Sequence, residues 1–250
     1  LAGMVAFITT ANAGILSASR VPSAMARDDL LPGVFSLQSK KNIPVFSIIF
    51  TGIFMLCLIL FLDLETTGLN PLKDEIIQVA YSAGEKDSIH GAMFKASKAI
   101  PYEISGLTNI DQNDVLDKPL FINSEERSIM EDFAKKKFIV IAHNTEFDLS
   151  FLKFIGIEFN KFICTYLIAK KLIGPELKDH KLGTLRAYFQ IPIPQQNSAH
   201  NAIYDVELLI AIFSKLRENF ASIEDMISYT LESQKELLET WAFGKYRGEK

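Results

Sequence analysis

Val45 to Leu62 is a run of 18 residues in which Ser47 and Thr51 are the polar members, and it ends directly in Asp63-Leu-Glu65. A run this long and uncharged is just sufficient for a membrane helix, which needs about 20 apolar residues. A buried helix of a water-soluble core is the alternative. The end of the run also reads as an apolar strand that would carry two carboxylates to the rim of a sheet. The two readings compete for Ile59 to Leu62, because a helix in lipid would leave that strand unmade. We expect the helix to end before Ile59, and the residues near Ile59 to Glu65 to form a strand.

The chain on either side of this seam is unlike. Leu1 to Leu62 carries four Lys/Arg and two Asp/Glu, whereas the remainder carries 22 and 28. The chain begins with Leu rather than Met, as expected of a fragment. Leu1 to Ser19 is apolar and rich in small residues, and a basic loop with Arg20, Arg27, Lys40 and Lys41 separates it from the second apolar run. That order is not a secretory signal, in which the basic residues come first. The stretch Ala11-Asn-Ala-Gly-Ile-Leu-Ser-Ala-Ser-Arg-Val-Pro-Ser-Ala-Met-Ala-Arg-Asp-Asp-Leu-Leu-Pro32 resembles the loop between the eighth and ninth membrane helices of amino-acid permeases of the APC superfamily. That resemblance implies a fragment only, since a permease builds its substrate site between repeats of many helices. We expect three parts: a permease-like hydrophobic helical fragment over 1–58, a catalytic domain over 59–220, and a C-terminal helix with the start of a truncated extension over 221–250.

The second piece alternates strands and helices. Strands are predicted over Ile59–Leu64, Glu75–Ala83, Ser88–Phe94 and Phe138–Ala142. Helices are predicted over Ser124–Lys136, with Ser124 as N-cap, and over Glu146–Phe154, Thr165–Ile173, Leu182–Phe189, Ala199–Arg217 and Ser222–Leu238. Three strands followed by strand–helix alternation suit an α/β domain with a mixed sheet. The net charge of −4 is the wrong sign for binding nucleic acid by bulk charge. An acidic domain can still bind phosphate if its carboxylates hold cations. Two cysteines, Cys57 and Cys164, form no framework, and four histidines argue against a multi-histidine metal site.

Three short motifs carry the chemistry. In Asp63-Leu-Glu-Thr-Thr-Gly68, residues two apart on a strand share a face, so Asp63 and Glu65 stand side by side before a glycine turn. Such a pair repels unless a cation lies between them, and Mg²⁺ favours oxygen ligands. A solvated acidic strand end explains that pair alone at least as well. Thr66 and Thr67 add hydroxyls and open amides that can hold a nucleotide. In Ala142-His-Asn-Thr-Glu-Phe-Asp148, a buried strand feeds a polar turn and Asp148 falls in the first turn of a helix, where an acid is also common for structural reasons. His143 and Asn144 are turn formers or line a site. In His200-Asn-Ala-Ile-Tyr-Asp205, Asp205 lies early on an amphipathic helix with His200 near its start. A lone histidine there is usually a cap or a surface residue. Lys135 to Lys137, Lys170 and Lys171 read first as solvated helix faces.

In the order D-x-E, D, H-x-A-x-x-D, each at a strand end or helix start, the set resembles the DEDDh 3′–5′ exonuclease superfamily. A sister class places tyrosine four residues before the last aspartate, where this chain has Asn201. A further resemblance, to the exodeoxyribonuclease X family, rests on Phe162-Ile-Cys-Thr165 with Ala169-Lys-Lys-Leu172, Ala202-Ile-Tyr-Asp205 and Phe243-Gly-Lys-Tyr-Arg-Gly248. A basic surface turn explains the last of these equally well.

The resemblance implies a ribonuclease H-like fold, a mixed β-sheet flanked by helices, preceded here by a short hydrophobic membrane-type helical segment. It implies that terminal phosphodiesters of DNA are hydrolysed from the 3′ end to nucleoside 5′-monophosphates. Asp63, Glu65, Asp148 and Asp205 would hold two divalent cations, Mg²⁺ or Mn²⁺, and His200 would be the general base. Thr66, Thr67, Leu69 and Asn144 would cradle the terminal nucleotide. The expected partner is a 3′ end of DNA, single- or double-stranded, with RNA as the second candidate. Membrane contact would come only through residues 1–62, and the catalytic domain is expected in the cytoplasm. The alternatives are an RNA-trimming or polymerase-proofreading relative, and a non-catalytic membrane-associated chimera. We expect the permease-like leader to be no working part of an enzyme.

Overall fold

The computed structural model describes residues 20, 22–28, 30–39, 44–47, 59–83, 89–192 and 202–243, with side chains in the last helix described to Leu237. The chain divides into two compact units, Leu1–Leu58 and Ile59–Lys250. In the first unit a 3₁₀ turn spans Gly33–Ser36. The Phe35 ring meets Phe46 edge-on at 4.8 Å, and the Ser47 hydroxyl donates to the Phe35 carbonyl over 2.7 Å. The apolar run from Val45 is not one helix, because Ile59 to Leu62 at its end are β-strand. Among the described residues no helix is long and apolar enough to cross a membrane. Residues 48–58 lie outside the described set.

The second unit is a mixed five-stranded sheet with helices packed against it. Its strands are β1 (Ile59–Thr66), β2 (Ile76–Ser82), β3 (His90–Met93), β4 (Ile139–Ala142) and β5 (Lys161–Cys164), in the order β3-β2-β1-β4-β5. β1 pairs antiparallel with β2 and parallel with β4, so the seam residues form the central strand. β2–β3 is antiparallel and β4–β5 parallel. The helices are α1 (Tyr102–Thr108), α2 (Gln112–Val115), α3 (Glu125–Lys135), α4 (Thr145–Phe154), α5 (Thr165–Ile173), α6 (Leu182–Tyr188), α7 (Ala202–Arg217) and α8 (Ile223–Phe243). Ser124 caps α3 as expected, its hydroxyl accepting from the Arg127 N–H over 3.2 Å.

The pleat of β1 decides where its side chains go. Ile59 and Phe61 are buried in the core shared with Val206, Leu209 and Ile212 of α7, and the Phe61 ring meets Phe213 edge-on at 5.4 Å. Leu60, Leu62 and Leu64 alternate with them and are buried too. Asp63 and Glu65 continue the row of Ile59 and Phe61 and therefore emerge on the α7 side. A smaller core of Ile77, Ala96, Ile100, Ile110 and Val115 lies under α1 and α2. Those two helices and β5 are absent from the sequence expectations. β5 has four residues and α2 four, too few for a period to declare itself.

Candidate metal centre and nucleotide cleft

The acidic cluster sits at the carboxyl end of β1, where several elements run out. Ligand oxygens of Asp63, Glu65 and Asp205 lie within 4.8 Å of one another. Asp205 reaches them because α7 packs along β1 and its first turn is pinned there. Gln78 of β2, opposite Glu65 in the register, is buried and accepts from the backbone N–H of Ala202 over 3.1 Å. Gly91 of β3 leaves room for Ile203 in that same turn, since a Cβ there would overlap the Ile203 side chain.

Asp148 stands beside this group rather than in it. It is 2% exposed in the first turn of α4, and its Oδ1 accepts from the backbone N–H of Leu64 over 3.1 Å. The parallel pairing of β1 with β4 ends at Phe61 and Ile141. The chain then leaves the sheet, and the carboxylate of Asp148 takes the strand N–H that β4 no longer reaches.

Burial and mutual repulsion show in the acidities. The Asp63 carboxyl is held well above its usual range by desolvation first and then by Asp148, Asp205 and Glu65. Glu65 is raised to about 7, by desolvation and then by Asp205. Asp148 is raised as well, chiefly by desolvation, against the pull of its backbone hydrogen bonds. Carboxylates packed this way are a frustrated set that a cation would relieve. Oxygen donors in such a cluster suit a hard divalent ion.

The loop after β1 is built from its own polar groups. The Thr66 hydroxyl donates to the Gly68 carbonyl over 2.6 Å, and Thr67 exchanges backbone and hydroxyl bonds with Glu75, both at 2.9 Å. The Asp74 carboxylate accepts from the Asn70 N–H over 2.8 Å and fills the space a Cβ on Gly68 would need. The hydroxyls of Thr66 and Thr67 thus bind the loop itself, and the loop presents Leu69 to solvent at 82% exposure. Asn144 adopts the left-handed conformation at φ 72° before α4, with no capping bond from its side chain. Non-glycine residues accept that conformation sparingly, Asn more readily than most. Asn144 and Tyr166 line both a cleft shared with Leu69 and Phe147 and a cavity shared with Asp63 and Asp205.

His143 lines the cavity that contains Asp63 and Asp205. Its Nδ1 lies 3.0 Å from the Thr165 hydroxyl, and burial brings its pKa down to about 4. The Tyr166 ring meets His143 and His180 edge-on at 5.7 and 6.4 Å. His200 and Asn201 lie outside the described residues, as do Gly244 to Gly248 of the C-terminal motif. Gln78 and Tyr166 were missed in the sequence. Gln78 had a visible signal, a lone polar residue inside the apolar strand Ile76-Ile-Gln-Val-Ala80.

A mixed sheet whose central strand, together with the helix packed on it, converges carboxylates at the strand end defines a metal-dependent hydrolase of the ribonuclease H-like class. The chain belongs to the exonuclease family of RNase T type, whose model matches residues 60–213, and its site uses a divalent metal. A second model, of amino acid permeases, matches residues 3–70. Among curated relatives, a DNA polymerase III PolC-type of Caldanaerobacter subterraneus subsp. tengcongensis is 31% identical over 168 residues, 64% of this chain and 12% of that protein. Another, from Oceanobacillus iheyensis, is 31% identical over 74% of this chain and 13% of its own length. A 3′–5′ exonuclease DinG of Staphylococcus epidermidis is 29% identical over 70% of this chain and 19% of its own. The chain therefore spans less than a fifth of the length of these relatives. Among solved structures, exonuclease X in complex with 5′ overhanging duplex DNA superposes with a TM-score of 0.55 at 20% identity, over 69% of this chain and 99% of that one. That likeness is one of fold.

Proposed function

We propose that the unit from Ile59 onward is a 3′–5′ exodeoxyribonuclease that releases nucleoside 5′-monophosphates from DNA ends. The observation that carries this reading is the meeting of Asp63, Glu65 and Asp205 within 4.8 Å, with buried Asp148 bonded to the same strand. Asp63, Glu65, Asp148 and Asp205 would hold two ions, Mg²⁺ or Mn²⁺. When bound, the ions supply positive charge that activates an attacking water and stabilises the leaving 3′ oxygen. The remaining work belongs to the chain. His200 takes the proton of the water, a task suited to an imidazole of ordinary pKa about 6.5. Leu69 packs against the terminal base, and Asn144 holds the nucleotide beside the cluster. Thr66 and Thr67 serve the same nucleotide by fixing the loop that presents Leu69. The relatives named for DNA polymerase and the neighbour bound to DNA favour DNA over RNA as substrate. A DNA substrate and the lack of a cysteine framework suit the cytoplasm.

The test uses oligonucleotides of DNA and of RNA, labelled at the 3′ or the 5′ end, with and without Mg²⁺. The expected result is early loss of a 3′ label as mononucleotide, a shortening ladder from a 5′ label, preference for DNA, and no reaction in EDTA. Internal cleavage, or full activity in EDTA, would overturn the reading.

A further inference from the structure

Helix α8 lies beyond the residues matched by the exonuclease family, yet it builds one side of the cleft next to the acidic cluster. It covers the edge of the sheet at β5: Thr230 is fully buried, and its hydroxyl accepts from the backbone N–H of Cys164 over 3.3 Å. An edge strand needs such cover. Lys171 of α5 ties the same helix down by an ion pair with Glu236 at 2.8 Å. About one and two turns past Thr230, Gln234 and Leu237 line a cleft of about 600 Å³ together with Leu69, Phe147, Phe162 and Leu167.

The cleft adjoins the cluster through Asn144 and Tyr166, which also line the cavity containing Asp63 and Asp205. Leu69 and Asn144 serve the terminal nucleotide at that end. The walls contributed by α5, β5 and α8 prolong the cleft with half-buried apolar side chains, and exposed Lys170 stands on its lining. Flat apolar walls with a cation suit a base and its phosphate, and they suit any base, since each has an apolar face.

We propose that Gln234 and Leu237 of α8 hold the penultimate nucleotide of the substrate strand, with Lys170 facing its phosphate. This assignment rests on the exonuclease reading above. It makes α8 a specificity element added to the family domain, one that measures whether a second nucleotide follows the first.

The test separates the two nucleotides. The full chain with Mn²⁺ is assayed on a single-stranded oligodeoxynucleotide and on the p-nitrophenyl ester of thymidine 5′-monophosphate, in which nitrophenol replaces the penultimate nucleotide. Leu237→Asp and Gln234→Ala should raise KM for the oligonucleotide, about tenfold for the first, the equivalent of one decade in affinity. Hydrolysis of the ester should stay within twofold of wild type, and Leu237→Met should restore the oligonucleotide KM. Thermal melting identifies a variant that has lost its fold; Gln234→Ala, at a half-buried polar position, then carries the test. An unchanged oligonucleotide KM, or an equal loss on both substrates in a folded variant, would overturn the proposal while leaving the exonuclease reading intact. A wild-type chain inactive on both substrates would overturn both.

Discussion

The backbone N–H of Leu64 donates to Oδ1 of Asp148 over 3.1 Å, joining residues 84 apart in the chain. Leu64 lies between Asp63 and Glu65, so the strand that carries two of the acids also orients a third. The bond gives Asp148 a structural role beside the chemical one proposed for it, and the two roles separate by substitution. Asp148→Asn keeps an oxygen for Leu64 and removes the charge; it should retain or raise the melting temperature while abolishing nuclease activity. Asp148→Ala leaves a buried N–H without a partner, at a cost of about 1–3 kcal/mol. It should be the less stable of the two by thermal melting. Equal melting temperatures would show that the Leu64 bond contributes nothing.

The raised carboxyls predict how the metal-free protein responds to pH. A carboxyl whose folded pKa is raised favours the folded state fully below its unfolded pKa, and loses that contribution as pH rises through the folded value. For Glu65 the window runs from its ordinary 4.5 to about 7. Asp63 and Asp148 shift in the same direction. His143 opposes them: lowered from 6.5 to about 4, it stabilises above its ordinary pKa and loses that as pH falls through 4. Three carboxyls outweigh one imidazole across the shared window. In EDTA, the melting temperature should therefore fall as pH rises from about 4.5 to 7. With Mg²⁺ or Mn²⁺ the fall should disappear, because the ions bind the ionised carboxylates. Differential scanning calorimetry across this range in both buffers checks it; parallel curves with and without metal would contradict the site.

Asp63→Ala and Asp205→Ala should each cut turnover by several orders of magnitude and leave the fold intact. Each also removes one member of a self-repelling set, so the metal-free variants should melt no lower than wild type. His200→Ala should behave differently. A general base is worth roughly 10²–10⁴ in rate, and its removal should leave metal affinity nearly unchanged while flattening the acidic limb of the pH–rate profile. Titration with Mn²⁺ alongside a pH–rate series distinguishes the two kinds of variant. Near-wild-type turnover of His200→Ala at pH 7 would return that residue to a capping role.

The sequence carried the spacing of the acids because strand and helix geometry turn spacing into facing. Asp63 and Glu65 had to share a face, and the apolar period of α7 had to lay Asp205 against β1. It did not carry the second duty of Asp148, since a hydrogen bond to Leu64 depends on where β4 stops. Nor did it carry the duty of Thr66 and Thr67, whose hydroxyls close the loop that presents Leu69. Short elements escaped for the same reason: β5 becomes a strand only because β4 offers it an edge, and α8 covers it. Tertiary contact, rather than local pattern, decides four residues.

The seam gives the last prediction. Ile59 to Leu62 close an apolar run long enough for a membrane, and the permease model reaches across them to residue 70. In the fold they are the middle of the sheet: Leu60 and Leu62 are fully buried, β1 pairs on both sides, and Asp63 follows directly. A strand cannot leave that position without removing two carboxylates of the acidic cluster and both of its neighbours' pairings. Any state in which these residues sit in lipid is therefore a state without a nuclease site. We predict that residues 57–250 expressed alone fold cooperatively and degrade DNA with the kcat of the full chain. Starting instead at residue 67, past the strand, should give an unfolded, inactive product. Circular dichroism and the labelled-oligonucleotide assay on both fragments test this. An inactive 57–250 fragment beside an active full chain would mean that the first unit contributes to the enzyme.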